Sequence, residues 1–266
     1  MEKTNIQALF FDIDGTLVSF RTHRIPQSAV DAIAQAKASG VKVFISTGRP
    51  VPFITNLGQI SHLIDGYVTT NGAYCFVGSH TVCRQSIAEA DVAAILRACL
   101  RYDRPAVVVG ASNIAVYNHK DVVDRVFGQG LGLGNIVFDS LDQVLHQSVL
   151  QVTPFLSSAE EQQLMPAIPG CVSGRWCPDF TDITARGADK GRGLLAMAHY
   201  LGLHVQSTMA FGDGGNDISI IRQAGVGVAM GNAGAEVKYA ADYVTASVDD
   251  DGVRQALQHY GVIAGM

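Results

Sequence analysis

A chain of 266 residues, 48% hydrophobic and only 16% charged, can bury one large core or two and is too apolar to be disordered. Its net charge of −5 offers no basic surface for nucleic acid or anionic lipid, and no run of about 18 apolar residues is present to span a membrane. Met1-Glu2-Lys3-Thr4-Asn5 lacks the basic start and apolar stretch of a signal peptide, and five cysteines in no metal-ligand spacing suit reduced thiols, so a cytoplasmic location is expected.

The first strand is predicted over residues 6–11, an apolar run that stops at Asp12-Ile13-Asp14-Gly15-Thr16. In an open α/β sheet, ligands bind beyond the carboxyl ends of the strands. Side chains at i and i+2 of extended chain point the same way, so Asp12 and Asp14 can share one pocket unless Gly15 re-aims the second. Two carboxylates so close repel unless a proton or a cation stands between them, and oxygen-only ligands favour magnesium over zinc. A solvated acidic turn is the plainer alternative.

Pro26 opens a predicted helix that stops at Gly40, and residues 41–45 form the next strand. That strand runs into Ser46-Thr47-Gly48-Arg49, where hydroxyls and free backbone N–H groups suit an oxyanion, although a threonine-capped turn uses the same residues. A helix is expected over 51–59 and a third strand over 67–70. Asn71-Gly72 then reads as a hairpin turn.

From about residue 85 the pattern changes to paired strands with intervening helices. Strands are expected at 106–110, 114–117, 150–155, 172–176 and 180–184, and helices at 88–102 and, after Ser157, to 168. The glycine-rich stretch 128–134 fits neither type. This texture predicts a separate α+β module.

Asp189 is a plausible N-cap for a helix running to 201. Lys190 then sits at the electrostatically wrong end for a cation, which an anionic partner would explain. The strand at 208–211 ends in Gly212-Asp213-Gly214-Gly215-Asn216-Asp217, a second acidic strand end whose glycines admit close approach. A short helix follows at 218–224, then a strand at 225–229, a helix at 235–240, a short strand at 243–244 and a helix over 251–259. Asp249-Asp250-Asp251 reads as a solvated helix start. If the core strands are parallel, Asp12, Asp14, Thr47, Lys190, Asp213 and Asp217 meet at one edge. That inventory could bind a phosphoryl group and supply a carboxylate nucleophile.

Taken together, these motifs resemble those of the haloacid dehalogenase superfamily of phosphotransferases. Asp12-Ile13-Asp14-Gly15-Thr16 matches its first motif, Thr47 its second, Lys190 its third and the 212–217 loop its fourth. Ser46-Thr47-Gly48-Arg49, Asn71-Gly72-Ala73, the 227–233 stretch and Asp251-Gly252-Val253 are similar to the Cof-type branch of sugar-phosphate phosphatases with a type IIB cap. The resemblance implies an α/β fold. Its core would be a Rossmann-like, doubly wound parallel sheet over 1–84 and 185–266, with an α+β cap inserted at 85–184.

It also implies roles. Asp12 would attack phosphorus, and Asp14 would protonate the leaving oxygen and then activate water. Mg2+ would be held by Asp12, the main-chain carbonyl of Asp14, and Asp213, with Asn216 and Asp217 ligating through water or bracing the site. Thr47, Gly48 and Lys190 would hold the phosphoryl oxygens. Gly15, Arg49, Asn71, Gly72 and Asn232 would lie near the leaving group. Asp182 falls where relatives often carry glutamate, and Ile220 where the branch often has methionine. Trp176, Arg175 and Asp179 are cap candidates by position. The expected partner is a small phosphorylated metabolite, and the expected state a monomer or weak homodimer. A sugar phosphomutase or a non-catalytic sugar-phosphate sensor would use the same residue types.

Overall fold

The computed structural model describes residues 5–130, 137–175 and 177–265. Most of the glycine-rich stretch, the first four residues and the cap candidate Trp176 lie outside them. The chain divides into two compact units. One comprises Met1–Gly48, Thr55–Cys83 and Asp189–Met266, and the other Arg49–Ile54 and Arg84–Ala188.

The strands, in chain order, are β1 (Ala8–Phe11), β2 (Lys42–Ser46), β3 (Gly66–Thr69), β4 (Tyr74–Val77), β5 (His80–Arg84), β6 (Ala106–Val109) and β7 (Ile114–Tyr117). They continue with β8 (Gln151–Pro154), β9 (Cys171–Gly174), β10 (Asp182–Ala185), β11 (Thr208–Gly212), β12 (Val226–Ala229) and β13 (Tyr243–Val244).

The first unit is built on a sheet of order β13-β12-β11-β1-β2-β3-β4-β5. Its pairs from β13 to β3 are parallel, and β4 turns back antiparallel to β3. The strands are buried on both faces, as parallel strands must be, which explains their unbroken apolar runs. Ala8 and Phe10 face a cluster with Leu194 and Met197 of the helix Lys190–Tyr200 and Ile220 of the helix Ile218–Gln223. Leu9 and Phe11 alternate to the opposite face, covered by the helix Gln27–Ala38, which packs on β2 and on the helix Gly252–His259. Helices on both sides of a central parallel sheet make this a doubly wound α/β fold. Cross-strand rings tie its centre together: Phe10 stacks on Phe44 at 4.9 Å and Phe11 on Phe211 at 4.7 Å.

The helix expected over 51–59 does not form. A single 3₁₀ turn, Val51–Phe53, replaces it, with a second turn at Ser61–Leu63. Asn56 and Gly58 are poor helix formers, and tertiary packing claims the rest. Phe53 leaves the first unit and packs on Phe127 of the second, with ring centroids 5.4 Å apart.

The second unit has a wholly antiparallel sheet of order β7-β6-β8-β10-β9. On one face Val108, Val152 and Ile183 pack with Ile95 and Cys99 of the helix Glu89–Arg101 and Leu164 of the helix Ser158–Leu164. Val107 and Val109 alternate to the other face, with Phe127, Phe155 and Phe180. The helix Ser158–Leu164 starts in a capping box formed by Ser157 and Glu160. No helix among the described residues is long and apolar enough to cross a membrane.

Candidate active site

Parallel register brings the carboxyl ends of five strands to one edge of the first unit. Phe11 lies level with Ile45 on β2 and Phe211 on β11, and Gly212 lies level with Ala229 on β12. The chain therefore leaves β1 at Asp12, β2 at Thr47, β3 at Thr70-Asn71, β11 at Asp213 and β12 at Met230-Gly231-Asn232. Lys190 reaches this edge differently, from the first turn of the helix Lys190–Tyr200, whose N-cap Asp189 accepts the Arg192 N–H at 2.9 Å.

Lys190 is fully buried, and its ammonium joins two carboxylates. Nζ donates to Asp12 Oδ1 at 2.7 Å and to Asp217 Oδ1 at 2.5 Å. The other oxygen of Asp217 accepts the backbone N–H groups of Asp213 at 3.1 Å and Gly214 at 2.9 Å, which orients the 213–217 loop. Asp213 accepts from the Thr16 hydroxyl at 3.0 Å and from Asn232 Nδ2 at 3.3 Å. Asn232 Nδ2 also donates to the Gly15 carbonyl at 2.8 Å, and its own oxygen accepts the Val248 N–H at 3.0 Å. The acidic segments near residues 12 and 213 are thus one cluster, despite their separation along the chain.

Carboxylate oxygens of Asp12, Asp213 and Asp217 all lie within 4.8 Å of one another. Three carboxylates against one ammonium leave two uncompensated negative charges, so the donor set fits a hard divalent cation. The electrostatics of the three groups point the same way. Burial and the neighbouring Asp217 push the Asp12 carboxyl well above its ordinary value, with Lys190 pulling back. Asp213 is pushed up to about 6, first by burial and then by the Asp217 charge, against the hydrogen bond from Thr16. Burial alone would lower Lys190, but Asp12 and Asp217 outweigh it and hold its pKa above the ordinary lysine value.

The other expected residues fall in several places. The Asp14 carboxylate is outside the three-carboxylate group, and its residue bridges to Val18. Asn216 donates through Nδ2 to Asn71 Oδ1 at 3.0 Å, and the Asn71 N–H donates to the Thr47 carbonyl at 3.1 Å, so three strand-end loops join there. Gly48 stands beside that pair, since a Cβ on it would lie 3.1 Å from Asn71 Oδ1 and 3.3 Å from Asn216 Nδ2. Arg49 belongs to the second unit and donates to the Phe53 carbonyl at 2.8 Å. Asp182 is also in the second unit, buried on β10, where it accepts from Thr153 Oγ1 at 2.6 Å and Gln151 Nε2 at 2.9 Å. Arg175 pairs with Glu161 at 2.7 Å and donates to the Leu156 and Pro178 carbonyls, a structural clamp within the second unit; Asp179 is exposed.

Three features escape sequence reasoning. Thr16 is visible in the first motif, but its bond to Asp213 depends on a residue nearly two hundred positions away. Thr70, Asn71 and Gly72 are three consecutive residues with positive φ, at 54°, 50° and 86°. A β-branched residue in that region is strained, and such strain gathers where a loop must be held in one shape. Asp249, exposed as expected of a solvated acidic turn, also accepts from the buried Ser19 hydroxyl at 2.7 Å.

Gly72 tests how tightly this edge is built. A Cβ there would sit 2.1 Å from the Asp189 carbonyl oxygen, next to Lys190 in the chain. Gly72→Ala adds a backbone clash to the strain of positive φ, so we expect a loss of about 2–4 kcal/mol. Thermal melting would read this as a drop of about 4–16 °C. An unchanged melting temperature would show that the 70–73 turn is free to move.

The matches to known proteins run the length of the chain. A family model for haloacid dehalogenase-like hydrolases matches residues 9–257. The structure of the haloacid dehalogenase subclass IIB sugar phosphatase BT4131 superposes with a TM-score of 0.89 at 46% identity, covering 97% of this chain and 100% of that one. BT1666 from Bacteroides thetaiotaomicron, described among phosphatases of the same superfamily, superposes at 0.85 with 34% identity over 97% of this chain and 96% of that one. The 5-amino-6-(5-phospho-D-ribitylamino)uracil phosphatase YcsE of Bacillus subtilis is 28% identical, over 97% of each chain. The expected superfamily and its central parallel sheet are both found, and the chain belongs to the haloacid dehalogenase-like hydrolase family, as a phosphoric monoester hydrolase.

Proposed function

We propose that this protein is a magnesium-dependent phosphatase that hydrolyses small phosphomonoesters, chiefly sugar phosphates, through an aspartyl-phosphate intermediate in the cytoplasm. The observation that carries the reading is the buried Asp12–Lys190–Asp217 bridge beside Asp213. BT4131, described as a sugar phosphatase, supports the substrate class.

Asp12, Asp213 and the main-chain carbonyl of Asp14 would hold Mg2+, with Asn216 and Asp217 bracing them. The ion would supply positive charge against the phosphoryl oxygens. Asp12 attacks phosphorus through one carboxylate oxygen while the ester oxygen departs, taking a proton from Asp14. Asp14 then removes a proton from water, which attacks the acyl phosphate on Asp12 and releases inorganic phosphate. Lys190 holds Asp12 in place and, with Thr47 and the N–H of Gly48, balances charge on the transferring group. Gly15, Asn71, Gly72 and Asn232 are the proposed leaving-group contacts, and Arg49 and Asp182 are proposed substrate residues of the second unit. The domain division proposed is a catalytic core of 1–84 and 185–266 and a specificity cap of 85–184.

The test is phosphate release from a panel of sugar phosphates with and without Mg2+. No turnover across the panel would sink the reading, and conversion to an isomeric sugar phosphate would make the enzyme a mutase. Metal binding has its own readout. At a hundredfold excess over its dissociation constant, Mg2+ adds about 2.7 kcal/mol of stability. That is a rise of about 5–11 °C in melting temperature for a chain of this size. Asp213→Asn should lose most of the rise, and an equal rise in both proteins would place the ion elsewhere.

A further inference from the structure

Phe20 is one of the few large apolar side chains exposed among the described residues, at 65% of its surface. Isolated exposed hydrophobics are ordinary. This one is held in place by its neighbours and lies against the site. Ser19, fully buried, donates through Oγ to Asp249 and accepts the N–H groups of Arg21 at 3.1 Å and Thr22 at 3.2 Å. Its backbone N–H donates to the Arg24 carbonyl at 3.1 Å, and its carbonyl accepts the His23 N–H at 2.9 Å. Arg21 adds an ion pair to Asp249 at 3.4 Å. The turn that displays Phe20 is therefore tied down on both sides, all within the first unit.

The ring edge points at the catalytic strand end. A Cβ built on Gly15 would lie 2.6 Å from Phe20 Cε2 and 2.2 Å from Asp213 Oδ2. Ring and carboxylate thus flank one glycine, whose carbonyl is held by Asn232. That glycine has φ of +82°, so a bare backbone is what lets both groups approach. A phenyl ring can neither move a proton nor bind phosphate. It can lie against carbon-bound hydrogens, and a pyranose or furanose ring presents a face of them.

We propose that Phe20 is a substrate-contacting residue that packs on the C–H face of the leaving group and so favours esters of ring-shaped polyols over phosphoryl donors without such a face. This rests on the sugar-phosphatase reading above. The test compares kcat/KM for a hexose phosphate with that for acetyl phosphate in the full-length Mg2+-loaded wild type, Phe20→Ala and Phe20→Tyr. In Phe20→Ala the ratio of the two falls about tenfold, mainly through KM for the hexose ester. Phe20→Tyr, which keeps the ring, restores it. A ratio unchanged in Phe20→Ala overturns the inference, as does a fall that Phe20→Tyr does not reverse. If the wild type itself leaves the hexose phosphate untouched, the reading of the site falls and takes the inference with it. Normal wild-type turnover with an indistinguishable alanine variant removes the role of Phe20 alone. A melt of each variant shows whether a change reflects folding, and at this exposed position melting temperatures within about 2 °C are expected.

Discussion

Asp12→Asn is expected to lower phosphate release by at least about 10⁴-fold while the protein stays folded. An amide matches the carboxylate in shape but cannot form the acyl phosphate, so the route through Asp12 closes. Stability follows a separate ledger. In the metal-free protein Asp12 is buried and repelled by Asp217, which is why its carboxyl is pushed upward. The amide removes that repulsion and still offers an oxygen to Lys190, which keeps the Asp217 carboxylate on its other side. The melting temperature without Mg2+ should therefore hold or rise even though activity is lost. Phosphate release measured beside a melt separates the two effects. Residual activity above about 1% would show that Asp12 is not the nucleophile, because loss of a covalent nucleophile costs orders of magnitude more.

Much of this arrangement can be read from sequence, for a physical reason. A parallel strand is buried on both faces, so it appears as an unbroken apolar run, and the first polar residues after it mark the sheet edge where ligands collect. Asp12, Thr47 and Asp213 each follow such a run, and the register sets them side by side. What is hidden are contacts whose partners are distant in sequence. Phe53 sits in a segment with helical pattern, but its packing on Phe127 is visible only in the fold. Asp249 has the composition of a solvated helix start, and only the fold brings the Ser19 hydroxyl to it. Asn71-Gly72 reads as a simple hairpin turn and does connect β3 to β4. Its neighbour Thr70, held at φ of 54°, could not be foreseen, because a β-branched residue seldom pays that strain.

Lys190→Met should cost more stability than any other single change at this site. Methionine matches the length of the lysine stem but removes the only ammonium within reach of both Asp12 and Asp217 among the described residues. Each of those carboxylates is at least nine-tenths buried, so neither can turn to water. Removing one partner from a buried ionic network typically costs about 3–5 kcal/mol, because the remaining charge is left unpaired. For a chain of this length that is about 6–20 °C of melting temperature. The loss has a characteristic remedy. A bound divalent cation also neutralises Asp12, so saturating Mg2+ should raise the melting temperature of Lys190→Met by more degrees than that of the wild type. The double variant Asp12→Asn/Lys190→Met should recover part of the loss without metal, because one of the two stranded charges is then gone. Wild-type stability in Lys190→Met would mean that the bridge does not hold the strand ends together. A double variant no more stable than the single one would mean that lost packing, rather than stranded charge, sets the cost.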